Sequence, residues 1–377
     1  MEILLIGGTG ILSSEICANA IKKGYNVTIL NRGLRKDFIN KEARFVKADI
    51  RNDTVDIIKN KINIHKKYDV VIDFITYNVE QLKKSIQIVQ NMTKQYIFIS
   101  SATAYKNVEG RYTEECEIGN DIWDYCLEKS ECEWYLSKKK DDFSFKYTIV
   151  RPYVTYGRTR IPYQIAPIEY YTILNRIMNN KPIPICGIDT RCTLTNAKDF
   201  AVGVVGLFLN EAAYGEAVHI TANADTTWKE AIEIIANKLN KKITFVDINK
   251  HYLYEHSKEA GIDIDEILGD KSRNMIFDNQ KIKRLVPEYK GEIGFEEGID
   301  ETLEYYKNNP EKRIINYSWD AKIDRLIKNY LRTKNISVKN SLLNITSYKN
   351  KLTIKEIGKY MVNRYSMFTK IKTLIKH

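Results

Sequence analysis

The chain opens on an apolar run, Ile3 to Ile6, that breaks at glycines and passes into a segment with apolar residues at helical spacing as far as Lys23, where Gly24 is a stop signal. This predicts strand, turn, helix. Asn26 to Leu30, Arg44 to Ala48, Asp69 to Phe74 and Gln95 to Ser100 are further apolar runs, the last two each following a helical stretch. Nearly continuous apolar strands separated by helices imply a parallel sheet covered on both faces, so the body is read as doubly wound α/β. Tyr147 to Arg151 adds a strand, and the prolines and aromatics between Tyr156 and Pro184 mark the start of a smaller lobe. Trp228, Ile232, Ile235 and Leu239 predict an amphipathic helix. Beyond Pro310, Trp319, Ile323, Leu326, Ile327 and Tyr330 form one helical stripe, and Ile354, Ile357, Met361, Phe368, Ile371 and Ile375 suggest another.

Composition narrows the class. With 377 residues, 44% hydrophobic and 28% charged, the chain has material for a sizeable core, which excludes wholesale disorder. The start carries Glu2 and glycines where a signal peptide would stay apolar, and no run of about 18 uncharged apolar residues exists, so no integral membrane segment and a cytoplasmic location are expected. Six cysteines without a CxxC pair indicate neither a disulfide framework nor a zinc site, and no metal is expected. The net charge of +11 is uneven: residues 310–377 hold 16 Lys/Arg and 4 Asp/Glu, leaving 43 and 44 in residues 1–309. The body is near neutral, and the basic tail is a candidate for contact with an anionic partner.

Gly7-Gly8-Thr9-Gly10 follows a strand and opens a helix, the context in which a glycine motif points to a pyrophosphate. Glycine lets the backbone turn sharply and lets phosphates approach amides at the positive end of the helix. Gly7, Thr9, Gly10, Ile11 and Leu12 are therefore candidate cofactor contacts. The third glycine of the pattern is replaced by Ser13, a change expected to loosen helix packing slightly. At the end of the second strand stand Asn31 and Arg32 rather than an acid, which favours NADP over NAD. Asp49 and Ile50 fall where an adenine edge would be read.

The fifth strand runs into Ser100-Ser101-Ala102-Thr103, and Tyr125 and Lys129 follow at i and i+4, one helix face. A free phenol titrates near ~10 and is a poor base at neutral pH; an adjacent ammonium favours its phenolate. Ser101 would hydrogen-bond the same substrate oxygen. Tyr125 and Lys129 at this spacing recur by chance in many helices, and the preceding serines and glycine turn strengthen the reading.

Gly7 to Leu12, Ala48-Asp49-Ile50-Arg51, Phe98 to Tyr105, Tyr125xxxLys129 and Ile149 to Gly157, in that order, resemble the extended short-chain dehydrogenase/reductase superfamily, in its NAD-dependent epimerase/dehydratase branch. The resemblance implies a Rossmann domain at 1–157, a substrate lobe with returning Rossmann elements at 158–309 and, by charge, a basic helical extension at 310–377. It also implies a nicotinamide dinucleotide, a nucleotide-sugar substrate and a homodimer paired through the helix of Tyr125. Ser101, Tyr125 and Lys129 match the family's catalytic triad, with Tyr125 and Lys129 also touching cofactor. Phe74, Ile75 and Pro152 would border the nicotinamide. Tyr77, Thr103, Arg158 and Arg191 are the candidate substrate contacts.

Two departures matter. The acid pair of the 4,6-dehydratases is replaced by Ala102 and Thr103, and the arginine that grips a substrate diphosphate is replaced by Cys192, with Arg191 one residue earlier. His219, in a strand-like segment, is read as a core residue. The expected activity is transient hydride transfer from a sugar carbon, with Tyr125 taking the hydroxyl proton and a keto-sugar intermediate allowing epimerisation or elimination. The alternatives are a net NADPH-dependent reductase of another carbonyl, or a non-catalytic nucleotide- or RNA-binding relative that uses the basic tail.

Overall fold

The computed structural model describes residues 1–336 and 354–364. Its main sheet has seven strands, β1 (Glu2–Ile6), β2 (Asn26–Asn31), β3 (Arg44–Lys47), β4 (Tyr68–Asp73), β5 (Thr93–Ile99), β6 (Lys146–Pro152) and β7 (Ala217–Ile220). They are ordered β7-β6-β5-β4-β1-β2-β3, and every pairing is parallel. Ile6 at the end of β1 lies opposite Leu30 of β2 and Asp73 of β4. The chain winds outward in both directions from β1 and β4, and ligands of such sheets bind in the crevice at the carboxyl ends where the winding reverses.

Both sheet faces are covered, which is why β1 reads as unbroken hydrophobics. Ile3 and Leu5 pack with Ile16, Cys17 and Ala20 of α1 (Ile11–Lys22) and with the helix Ala197–Gly206. Leu4 and Ile6 join a second cluster with Ile58 and Ile62 of α2 (Val55–Ile62), Leu82 and Val89 of α3 (Val79–Val89), and Leu136 of α4 (Asp124–Lys138). Side-chain caps start two of these helices: Thr54 accepts from the amide of Ile57 before α2, and Asn78 from that of Gln81 before α3.

The chain forms two compact units. The first comprises residues 1–157, 193–225 and 275–298; the second comprises 158–192, 226–274 and the described residues from 299. Where the sequence sets a separate extension at 310, the structure groups the helix Tyr317–Thr333 with the second unit. Its predicted stripe is buried, from Trp319 through Ile323, Leu326 and Ile327 to Tyr330. The physical reason for the grouping is a set of ions that the tail's basic composition conceals. Arg176 bonds Asp320 and lies 2.9 Å from Asp324, while Lys181 lies 2.6 Å from each carboxylate, and all four side chains are fully buried. Tyr360, on the last described helix (Ile354–Arg364), donates to Asp324 Oδ2 at 2.7 Å.

That last helix corrects the second predicted stripe. Ile354 is 89% exposed and Ile357 40%, whereas Tyr360 is buried. Phe368, Ile371 and Ile375 lie outside the described residues.

Removing one partner of a buried ion set leaves an uncompensated charge, at a cost of about 3–5 kcal/mol. Asp324→Asn is expected to lower the unfolding free energy by about that amount in urea denaturation. Burial alone would push the Asp324 carboxyl up, but Lys181 and Arg176 outweigh it and hold the group below its usual range. The stabilisation is therefore present at neutral pH and lost as pH falls below ~4 through the folded-state value. The gap in urea midpoint between wild type and Asp324→Asn should accordingly narrow on acidification.

Candidate active site

The glycine turn between β1 and α1 is built by close backbone approach. Gly7 (φ +116°) and Gly8 (φ +69°) both occupy the left-handed side. A Cβ on Gly8 would lie 2.5 Å from Ile29 Cγ2 of β2, and one on Gly7 would lie 3.0 Å from Ile75 Cγ2 and 3.2 Å from Phe74 Cβ. Beyond the turn, α1 begins at Ile11 and presents the amides and positive dipole end that suit a pyrophosphate. The cradle therefore fits a dinucleotide. Ser13, at the position of the third glycine, is 2% exposed, and its hydroxyl accepts from the Gly10 amide at 2.8 Å.

Asn31 braces the same turn. Its side-chain amide donates to Gly7 O at 2.6 Å and Thr9 Oγ1 at 3.3 Å, and its Oδ1 accepts from the Gly33 amide at 2.7 Å. Expected as a cofactor contact, Asn31 thus spends its amide on the loop. Arg32 is exposed. Asn52, with Arg51 and Asn52 amides and then Arg32 contributing less, holds the Asp49 carboxyl below its usual range. Ile50 joins the core.

The candidate proton-transfer groups lie in the same unit. Tyr125 and Lys129 are one turn apart on α4, and Lys129 is 2% exposed. Its ammonium donates to Thr76 O at 2.6 Å and Ile99 O at 2.8 Å, tying the helix to the chain ends of β4 and β5. It stands 5.9 Å from the Tyr125 ring centre and 5.2 Å from that of Tyr77. Burial pushes its pKa down to about 8. Tyr125 is half-buried, with Trp123 and Tyr77 ring centres at 4.8 and 6.1 Å. Tyr77 keeps 38% exposure, and the Arg51 guanidinium lies 5.5 Å from its ring centre.

Ser101 lies two residues past the end of β5 and is 6% exposed. Its hydroxyl is 2.8 Å from that of Thr103 and accepts from the Thr103 amide at 3.3 Å. Thr103, taken from the sequence as a substrate contact, is 6% exposed and turned onto Ser101. Pro152 closes β6, and Phe74 and Ile75 flank Gly7. Arg158 and Arg191 belong to the second unit, Arg158 half-buried and Arg191 exposed.

Three buried groups escaped the sequence reading. Asp73, fully buried at the end of β4, accepts from the Ile75 and Thr76 amides and from the Thr76 and Tyr96 hydroxyls. Glu133 on α4 takes Arg151 in a bidentate pair, with Nη2 to Oε2 at 2.6 Å, and accepts from Ser100 Oγ at 2.5 Å. Only the i+4 spacing of Glu133 from Lys129 hinted at this. His219 is a core residue as expected: its Nδ1 faces Tyr105 OH at 3.1 Å, its Nε2 faces Asp278 O, and burial pushes its pKa down to about 4.

The model of the NAD dependent epimerase/dehydratase family matches residues 3–220. A "Putative UDP-glucose 4-epimerase" of Methanocaldococcus jannaschii is 26% identical over 331 residues, 81% of this chain and 99% of its own. Among solved structures, an epimerase from Methanothermobacter thermautotrophicus superposes with a TM-score of 0.68 at 19% identity, covering 83% of this chain and 94% of the other. The UDP-glucuronic acid 4-epimerase of Bacillus cereus, in complex with UDP-glucuronic acid and NAD, gives 0.66 at 18% identity, with coverage of 82% and 99%.

The glycine cradle generates one prediction. Because any side chain at position 8 strains the backbone and strikes Ile29, Gly8→Ala is expected to weaken dinucleotide binding more than about tenfold, roughly 1.4 kcal/mol, by titration calorimetry. Unchanged affinity would remove this turn from the cofactor site.

Proposed function

The chain belongs to the NAD dependent epimerase/dehydratase family, and on that premise we propose that it epimerises a nucleotide sugar through a transient keto intermediate. The observation that carries the reading is the placement of the half-buried Tyr125 phenol beside an ammonium fixed by two backbone carbonyls. Tyr125 takes the proton of the sugar hydroxyl and later returns it. Lys129 favours the phenolate, and Ser101 donates to the same sugar oxygen and holds it in line. Gly7, Thr9, Gly10 and the first turn of α1 hold the dinucleotide. When bound, the nicotinamide supplies the acceptor and donor of hydride.

Several observations refine this proposal. Ala102 and Thr103 offer no acid-base pair for a 4,6-elimination, which favours epimerisation. NAD is favoured over the NADP suggested by Arg32, because Asp49 sets a carboxylate near that guanidinium, opposed to a 2′-phosphate. The UDP-sugar enzymes among the relatives support a nucleotide-sugar substrate. A homodimer paired through α4 belongs to the same proposal, and Trp134, 47% exposed on that helix, supports it. A cytoplasmic location and an anionic partner for the basic tail rest on composition. Among the described residues no helix is long and apolar enough to cross a membrane.

With NAD and a panel of UDP-sugars, the wild type is expected to interconvert one epimeric pair. Tyr125→Phe should cut turnover by roughly 10²–10⁴ while leaving NAD affinity intact. Full activity in Tyr125→Phe would sink the assignment.

A further inference from the structure

The buried ammonium of Lys129 needs a negative charge, and it is faced by groups from α4, from β5, from β4 and from the turn that follows β4. On α4 itself, Cys132 is a thiol whose pKa burial pushes up to about 12, so it is neutral. Glu133 is claimed by the Arg151 guanidinium from β6 through paired hydrogen bonds. Glu128 is half-buried, and Tyr125 is the phenol one turn before Lys129. From β5 come the Ile99 carbonyl and the Phe98 ring, 4.8 Å from the ammonium. From the end of β4 comes Asp73, and from the turn after it Tyr77, with Arg51 near its ring.

Asp73 stands apart in this set. It is 0% exposed, and all four of its hydrogen-bond partners are donors: two amides at 2.9 and 3.1 Å, the Thr76 hydroxyl at 2.7 Å and the Tyr96 hydroxyl at 2.8 Å. Burial first, and then Asp73, keeps the Tyr96 phenol protonated, consistent with its donating. Four donors on two oxygens is the environment of a carboxylate. Among the described residues no basic side chain touches it directly. Thr76 makes the link: its amide and hydroxyl bind Asp73, and its carbonyl binds Lys129.

We propose that Asp73 is a positioning residue of the candidate active site: its carboxylate sets the turn at residues 74–77 and, through Thr76, supplies the counter-charge that keeps Lys129 an ammonium beside Tyr125. The role deepens the proposed function and rests on it only for its catalytic consequence. The desolvation that drives Lys129 toward neutrality is opposed, among other charges, by Asp73, so removing that carboxylate lets the neutral amine win at lower pH. An asparagine fits the same space: its Oδ1 can still accept from the two amides, and the Thr76 and Tyr96 hydroxyls can rotate to accept from its amide.

The test reads Lys129 directly. In protein labelled with ¹³Cε-lysine, the Lys129 signal is the one absent from Lys129→Met, and its titration needs no substrate. Asp73→Asn is expected to lower its midpoint by about one pH unit, a tenfold change in proton affinity. An unchanged midpoint in folded protein overturns the proposal.

A double-mutant cycle in urea covers the case in which Asp73→Asn folds poorly. Asp73→Asn should destabilise the Lys129→Met protein far less than the wild type, whereas equal destabilisation in both backgrounds overturns the coupling. The alkaline limb of kcat/KM against pH should move down with the lysine midpoint. A moved midpoint with an unmoved limb sustains Asp73 as the counter-charge and counts against Lys129 as a catalytic group, so the two readings fail separately.

Discussion

An ammonium held where almost no water reaches it is the constraint around which the first unit is organised. Lys129 is 2% exposed, and burial drives its proton affinity down. A cation in that position persists only if oriented oxygens replace its hydration shell. The carbonyls of Thr76 and Ile99 do so, the first in the turn that follows β4 and the second at the carboxyl end of β5. The register of β4 against β5, the pitch of α4 and the shape of the 74–77 turn must therefore agree at one nitrogen. Tyr125 inherits its surroundings from that agreement.

The same logic explains how much could be read from the chain. The parallel sheet was legible because two-sided burial leaves unbroken apolar runs, and the glycine turn because left-handed backbone and close packing on Ile29 restrict residue choice. Tyr125 and Lys129 were legible because four residues make a helical turn. Asp73 was not: an acid at a strand end looks like any loop acid until the fold closes over it. Asn31, a candidate cofactor contact, also holds the turn with its amide, since short polar side chains satisfy nearby backbone as readily as a guest, and spacing alone does not show that second role. Glu133 and Arg151 are 18 residues apart in sequence and meet only when α4 crosses the sheet.

The basic tail shows the limit of reading charge by counting. Of the 4 acids in residues 310–377, two, Asp320 and Asp324, are buried against Arg176 and Lys181. The minority charge thus does the anchoring, and the majority says little about how the helix Tyr317–Thr333 is held. Its apolar stripe was legible because seven-residue spacing survives any charge pattern.

The interleaving of the two units bears on how the polypeptide emerges from the ribosome. Neither unit is a continuous stretch: the sheet gains β7 only with residues 217–220, and the last segment of the first unit, 275–298, follows later still. A nascent chain with strands β1 to β6 already synthesised still leaves the outer edge of β6 open, a site for wrong pairing with another chain. Truncation between residues 158 and 216 would freeze that unfinished edge, and a fragment such as 1–157, though it holds every glycine of the turn as well as Tyr125 and Lys129, would lack the strand that seals it.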